Sequence, residues 1–511
     1  MSRPSTPDSP DPEFSVAEPH DPRTEPRFAG LREVLGMAFP IILGMLSFTF
    51  MHFVDQVMVA KLGKEQLAAV GPASLWVFTL ATVFLGIVGC VATFAAQSLG
   101  RGRRADCARY TWQGIYFSIG AGLVALPLWF ISEPMFRMMG HEEAVTQLEV
   151  SYFNIRLISY GLIAWNTALS SFFQAVSRQL VPMYTTIVAN LINIVLDYVL
   201  IFGAFGFPRW EIAGAAVATN VAIFAQLGMM QTVFLSPRYE REFATRETMH
   251  LDLGKLRELL HIGWPAGITN FADVFNWAIF TSFIVGYFGT AQLAAHNVAL
   301  NFMHLSFMPI VGFNHAIAAI VGQWIGRGSI ATAKARTYTA TRIAVAYMLT
   351  MGLIMALFGA QLIRLFFSTD PEVVRLGRIL LLFAATFQGF DAINIVMMGA
   401  LRGAGDTRFA LYAFVLAGYF FFLPLALLLS FPLGLEATGA WIGATAYIIL
   451  LSGLFFWRFH SEGWRHIRIF AADRIATPAP ADAARQEQRC APSLARAPDT
   501  AQPEAPRGPS G

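Results

Sequence analysis

The chain has 511 residues, 55% hydrophobic and 14% charged, with a formal net charge of +3 and a mean hydropathy of +0.52. Soluble domains carry about 25% charged residues, so this composition is that of a membrane protein, and so small a net charge gives no reason to invoke nucleic acid. Cys90, Cys107 and Cys490 form neither a disulfide framework nor a metal-ligand spacing.

In chain order, residues 1–27 are polar and proline-rich and lack the apolar core of a signal peptide. A disordered cytoplasmic tail is therefore expected over 1–30. Apolar stretches long enough to cross a bilayer follow. They lie near 37–58, 71–98, 111–131, 150–175, 182–204, 212–235, 264–286, 294–325, 338–360, 376–400, 409–430 and 437–457. The expected fold is an all-α polytopic membrane protein of twelve transmembrane helices. Six fall in an N-lobe, 31–236, and six in a C-lobe, 261–460, joined by a cytoplasmic linker at 237–260. Residues 461–511 end in an Ala/Pro/Arg-rich run and predict a second cytoplasmic tail, largely disordered.

Orientation follows from lysine and arginine in the loops. Arg101, Arg103, Arg104 and Arg109 follow the second span; Arg238, Arg241, Arg246, Lys255 and Arg257 follow the sixth; Arg327, Lys334, Arg336 and Arg342 follow the eighth. The opposite loops are poorer. Even-numbered loops and both termini are thus expected in the cytoplasm, with the chain in the cell inner membrane as a monomer.

The two lobes repeat one another at an offset of about 225–226 residues. Pro40 answers Pro265, LGKEQLAA at 62–69 answers FGTAQLAA at 288–295, GRG at 100–102 answers GRG at 326–328, and Gly214 answers Gly439. A membrane protein built from two copies of one bundle usually places its working site between them, which makes transport the leading reading.

Carboxylates cost about 2.5–3.5 kcal/mol at mid-membrane on insertion scales, and are functional candidates by default. Four lie inside predicted spans: Asp55, Asp197, Asp273 and Asp391. Asn193 precedes Asp197 by one turn, with Asn190 a further step back. Asn276 and Asn394 follow Asp273 and Asp391 by three, and Gln388 precedes Asp391 by three. Carboxylate and amide therefore share a helix face. Proton, Na⁺ and a cationic drug are the ligands this chemistry suits. The plainer alternatives are a solvated interface residue at Asp55 and polar helix packing elsewhere. Trp277, Phe280 and Phe387 neighbour the carboxylates and are expected to line a substrate cavity. His304 and His315 read as core histidines or proton relays, and Gly86, Gly89, Gly120 and Gly122 as points of close helix approach.

At these residues the sequence resembles the multidrug and toxic compound extrusion (MATE) family. The resemblance covers about residues 30–460. It is carried by FPIILGMLSFTFMHFVDQVMVAKLG, NLINIVLDYVLIFG with the later GAAVAT, GWPAGITNFADV and GALRGAGDTR, in that order and spacing. It implies two six-helix lobes around a V-shaped cavity, exporting cationic and amphipathic compounds against an H⁺ or Na⁺ gradient by alternating access. Asp55 matches the family's N-lobe acidic position on helix 1. Asn193 and Asp197 match the pair on helix 5, in DinF-like wording, and Thr219 is expected to face the same site. Asp273 falls where NorM-like members carry an acid on helix 7, and Asp391 at the helix-10 aspartate of the C-lobe cation site. Asp273, Asn276, Asp391 and Asn394 are thus expected to bind cation or drug, with Asp273 and Asp391 as candidate Na⁺ ligands.

Two departures stand out. Phe387 stands where some sodium-coupled members have tyrosine, which removes an oxygen ligand and favours H⁺ over Na⁺. SRQLVP at 177–182 lacks the glycine-rich turn of GAGDT at 403–407. No cofactor is expected. No P-loop, H-E-x-x-H or G-x-S-x-G is present, so a membrane enzyme is disfavoured. A lipid-linked glycan flippase of related fold would want an arginine-rich cavity, whereas this one is acidic.

Overall fold

The computed structural model describes residues 29–139, 142–367, 369–471 and 473. The chain divides into two units, Met1–Ile467 and Arg468–Gly511. Residues 1–28 and 474–511, which include Cys490 and nearly all of both expected tails, lie outside the described residues. Everything below concerns the first unit.

The described structure is helical, and each predicted span is recovered as a helix or a broken helix. The first lobe comprises α1 (Ala29–Ala60), α2 (Lys64–Gly89) with α3 (Val91–Gly100), α4 (Arg104–Ala125) with α5 (Leu128–Arg137), α6 (Glu143–Leu157) with α7 (Tyr160–Ala175), α8 (Leu180–Phe202) and α9 (Glu211–Phe234). A short α10 (Pro237–Phe243) leads to the second lobe. There follow α11 (Leu253–Ile279), α12 (Thr290–Gly326), α13 (Ile330–Phe366), α14 (Pro371–Ala404), α15 (Thr407–Val415) with α16 (Leu423–Ser430), and α17 (Glu436–His460). Ten helices are long and apolar enough to cross a membrane, or eleven if α4 and α5, bent by 53° at Pro127, count as one. The remaining span is α6 plus α7, of 15 and 16 residues, broken at Ile158 and Ser159.

α11 begins at Leu253, within the expected linker, where Asp252 caps it by accepting from the Lys255 amide at 3.1 Å. The C-terminal tail also starts later. Trp464 is buried and its ring lies 5.2 Å from Phe459.

The repeat survives in backbone detail. Glu211 and Glu436, equivalent at the offset of Pro40 and Pro265, open α9 and α17 with left-handed φ of 50° and 51°. Where the lobes meet, glycine lets main chains touch. A Cβ on Gly86 would lie 2.6 Å from the Gly267 Cα, and one on Gly100 would lie 2.8 Å from the Gly326 Cα. Within the first lobe Gly122 faces Gly161, whereas Gly89 and Gly120 meet nothing within 4 Å.

The cross-lobe contacts crowd toward one end. On α1, Val34, Met37, Ala38 and Ile41 join the core of the second lobe, and Ile42 meets Gly312 of α12. Further along α1, Val59 packs instead with Ile201 and Ala215 of its own lobe. On α2 and α11 the described contacts run from Val83 and Gly267 toward the arginine-rich end. Beyond these positions the described residues show no glycine approach or hydrogen bond between α1–α2 and α11–α12. The described glycine approaches and hydrogen bonds between these helices are therefore gathered at the arginine-rich end, where the lobes are closed on each other.

Candidate functional site

All four intramembrane carboxylates lie beyond these glycine approaches and hydrogen bonds, away from the arginine-rich end. They form two clusters, one in each lobe.

In the first lobe, Asp55 near the end of α1 meets Asp197 near the end of α8, side chain to side chain. Asp197 and Asn193 are fully buried, and their spacing puts both on the α8 face turned to α1. No described donor reaches Asp55 Oδ1, either oxygen of Asp197 or Asn193 Oδ1, and Asn193 Nδ2 finds no described acceptor. Buried polar groups are normally bonded, so this cluster of polar groups without described partners is a candidate site. Asn190, one face-step back, is engaged instead, donating to Ser47 Oγ at 2.8 Å. Thr219 spends its hydroxyl on its own helix, donating to Ala215 O at 2.9 Å.

Arg156, inside the predicted fourth span, is a feature the sequence reading passed over. It is buried, and its Nη1 donates to Asn220 Oδ1 at 2.9 Å. It lies within electrostatic range of His52 and Asp55. An intramembrane arginine is as conspicuous in sequence as an acid.

In the second lobe, Asp273 on α11 and Asp391 on α14 lie within each other's field, and Trp277 faces Asp273 from one turn on. Asn394 Nδ2 donates to Asp391 Oδ1 at 3.5 Å. Asn276 is fully buried, pressed against Gly418, and its amide finds no described hydrogen-bond partner. Gly418 belongs to a π-helical stretch, Leu416–Phe422, which brings backbone close enough to accommodate that amide. Tyr447, also without a described bond at its hydroxyl, faces Asn276 and both carboxylates. It was not anticipated, since α17 carries no acidic signal at that depth.

Two of the three aromatics expected at the cavity are placed elsewhere. Phe280 is fully buried between Phe422, at 5.2 Å, and His296, at 5.3 Å. Phe387 is 1% exposed and stacks on Trp441 at 6.4 Å. Both face the second lobe's own core, because the helices beside them close an aromatic layer there. Trp277 is half-buried.

His296 anchors that layer. Trp441 Nε1 can only donate, so His296 Nδ1 accepts it at 3.1 Å, and the ring proton sits on Nε2, 2.9 Å from Thr281 Oγ1. This is a neutral, satisfied core histidine. His304 is exposed and His315 is half-buried.

Among the described residues no three His, Cys, Asp or Glu side chains converge as for a metal ion. Oxygen for a Na⁺ here would come from the two carboxylates and the Asn276 and Asn394 amides.

A two-lobed helical bundle that is closed at one end and carries intramembrane acids in each lobe is the architecture of a membrane transporter. The MatE profile matches residues 40–199 and 265–428, one block per lobe. Multidrug resistance protein NorM of Burkholderia vietnamiensis is 30% identical over 429 residues, covering 83% of this chain and 92% of its own. Probable multidrug resistance protein NorM of Mesorhizobium japonicum is 30% identical over 465 residues, covering 88% and 95%. In fold, the chain matches a Vibrio cholerae MATE transporter, VcmN, with TM-score 0.78 at 21% identity over 86% of this chain and 98% of that one. It matches the eukaryotic MATE transporter AtDTX14 with TM-score 0.75 at 20% identity, over 85% and 96%. The chain belongs to the MatE family: it is a multi-pass membrane transporter, not an enzyme.

Proposed function

We propose that this protein is a secondary antiporter of the inner membrane that exports cationic, amphipathic compounds in exchange for protons. The arginine-rich loops and both termini lie in the cytoplasm. The described conformation then has its cavity open to the outside. The Asp55–Asp197 pair carries the proton, and the Asp273–Asp391 cluster takes the cationic compound.

One observation carries the reading. Two carboxyl groups meet with no described donor to Asp55 Oδ1 or to either oxygen of Asp197. Ionised carboxylates are acceptors only, so they can pair only through a proton between them, and like charges that close cannot both ionise. The names of the NorM relatives support drug export as the work being driven. Phe387 supports H⁺ over Na⁺ in a further way: it is both oxygen-free and turned into the core.

The test is dye efflux from proteoliposomes under separately imposed pH and Na⁺ gradients with the membrane potential clamped. A pH gradient alone is expected to drive efflux. Efflux driven by Na⁺ at equal pH and indifferent to a proton gradient would overturn the proposal.

A further inference from the structure

The closed end of the molecule is fastened by a set of cross-lobe bonds that the repeat duplicates. Glu33 and Glu258 are equivalent, each third in an LRE triplet. Each reaches across the lobe boundary to an equivalent position: Glu33 pairs with Arg336 at the start of α13, and Glu258 accepts from the Tyr110 hydroxyl at the start of α4. Gln97 and Gln323 are likewise equivalent. Gln97 Nε2 donates to Gly403 O at 3.0 Å, and Gln323 Nε2 donates to Ala175 O at 2.7 Å. Between them Gly100 and Gly326 cross main chain to main chain.

The two halves differ in chemistry. Glu33 also accepts from Trp324 Nε1 at 3.0 Å, and the Arg336 side chain is only 7% exposed. In that half the guanidinium is held out of water while the carboxylate is 30% exposed. In the other half Glu258 receives a neutral phenol. Lys255 lies 4.5 Å over the Tyr110 ring and 3.2 Å from Asp106 Oδ1.

We propose that Glu33–Arg336 and Glu258–Tyr110 are the two halves of one quasi-two-fold latch, and that their release is the step that opens the cavity to the cytoplasm. These are positioning residues: they touch neither proton nor drug. The assignment rests on the alternating-access reading above. The physical reason is that parting the lobes returns Arg336 to water and takes both glutamates from their partners, so each bond stabilises the closed state alone. Loss of the Glu33 carboxylate leaves the Arg336 guanidinium buried without it, which penalises closure further. Loss of the Tyr110 hydroxyl removes one hydrogen bond. The charged half is therefore the stronger.

The protein contains its own reporter. Cys90 is fully buried at the lobe boundary, its thiol 3.9 Å from Ile262 O of the opposite lobe. Cys107 is also fully buried, but inside the first lobe, against Ala95 O at 3.3 Å. Full-length chains retaining only Cys90 or only Cys107, the other cysteines changed to serine, are labelled in inside-out vesicles by a charged, membrane-impermeant methanethiosulfonate. Glu33→Gln is expected to speed labelling of Cys90 about tenfold or more, Glu258→Gln and Tyr110→Phe by smaller factors, and none to expose Cys107. Wild-type labelling of Cys90 in correctly inserted Glu33→Gln and Glu258→Gln overturns the latch. Labelling of Cys107 alongside Cys90 marks general loosening and overturns it equally. Labelling needs no driving ion, so the latch can hold even if efflux in the wild type responds to Na⁺ alone.

Discussion

The crossing of Gly100 and Gly326 offers a perturbation whose size can be read from geometry. A methyl on Gly100 would sit 2.8 Å from the Gly326 Cα and 2.9 Å from the Arg327 amide nitrogen, and closer still to Gln323 O. These neighbours are main chain and cannot rotate away. Reaching ordinary contact needs α3 and α12 to separate by ~0.6 Å or more. Overpacking of this kind costs about 1–3 kcal/mol. It falls on the closed state alone, because an opened end parts the two glycines. The ratio of open to closed molecules should therefore rise about 5–150-fold. Gly326→Ala should do the same, since its Cβ meets the Gly100 Cα at 2.9 Å. Nitroxides at Arg103→Cys and Ala331→Cys, exposed sites on opposite lobes at this end, would report the opening as a shift to longer distances in pulsed dipolar spectroscopy. Gly89→Ala and Gly120→Ala, with nothing within 4 Å of the added methyl, should leave the distribution unchanged. A Gly100→Ala protein with the wild-type distance distribution and wild-type efflux would refute the claim that this contact seals the closed end.

Three other outcomes are expected. Asp55→Asn and Asp197→Asn should each abolish pH-driven efflux in protein that still inserts; wild-type efflux by either would count against a shared proton. Asp273→Asn and Asp391→Asn should weaken binding of a monovalent dye cation more than of a neutral analogue, measured by fluorescence titration, with equal losses pointing to packing. His296→Ala strands the Trp441 indole and the Thr281 hydroxyl, at about 1–3 kcal/mol for each group left unsatisfied, and should lower the melting temperature clearly. His304→Ala, an exposed site, should change it little.

The spans, the two-lobe division and the repeat were legible because each is a one-dimensional pattern: apolar length, loop charge and an offset of matching residues. The acids were legible for the same reason, since a carboxylate within an apolar run is visible at once. What sequence could not supply was direction across helices. Phe280 and Phe387 neighbour carboxylates along the chain, yet point into an aromatic layer with Trp441 and Phe422 that only the packing of α11, α14 and α17 creates. Tyr447 reaches the C-lobe cluster from α17, which has no acid at that depth. Arg156 is readable in the sequence as an arginine within an apolar run, but its partner Asn220 is not. The latch was half visible, as the duplicated LRE triplets, but its partners Arg336 and Tyr110 are different residues at equivalent positions, so the match is hidden until contacts are known.

The repeat also shows how the two acidic clusters came to differ. At the offset relating Pro40 to Pro265, Asp55 corresponds to Phe280 and Asp197 to Phe422. The two carboxyls that meet in the first lobe are thus replaced in the second by two rings that meet at 5.2 Å. The same helix crossing serves packing in one lobe and holds orphaned polar groups in the other. That contrast separates a structural role for Asp55 and Asp197 from a working one. Removing both together takes away two buried carboxyls without leaving a stranded partner, and replacing paired buried ionisable groups by apolar side chains is often neutral or stabilising. The double variant Asp55→Leu, Asp197→Leu should therefore melt no lower than the wild type and keep cationic dye bound at Asp273 and Asp391, yet show no efflux under a pH gradient. If instead it melts well below the wild type and loses dye binding as well, the pair holds the lobe together and the proton must be carried elsewhere.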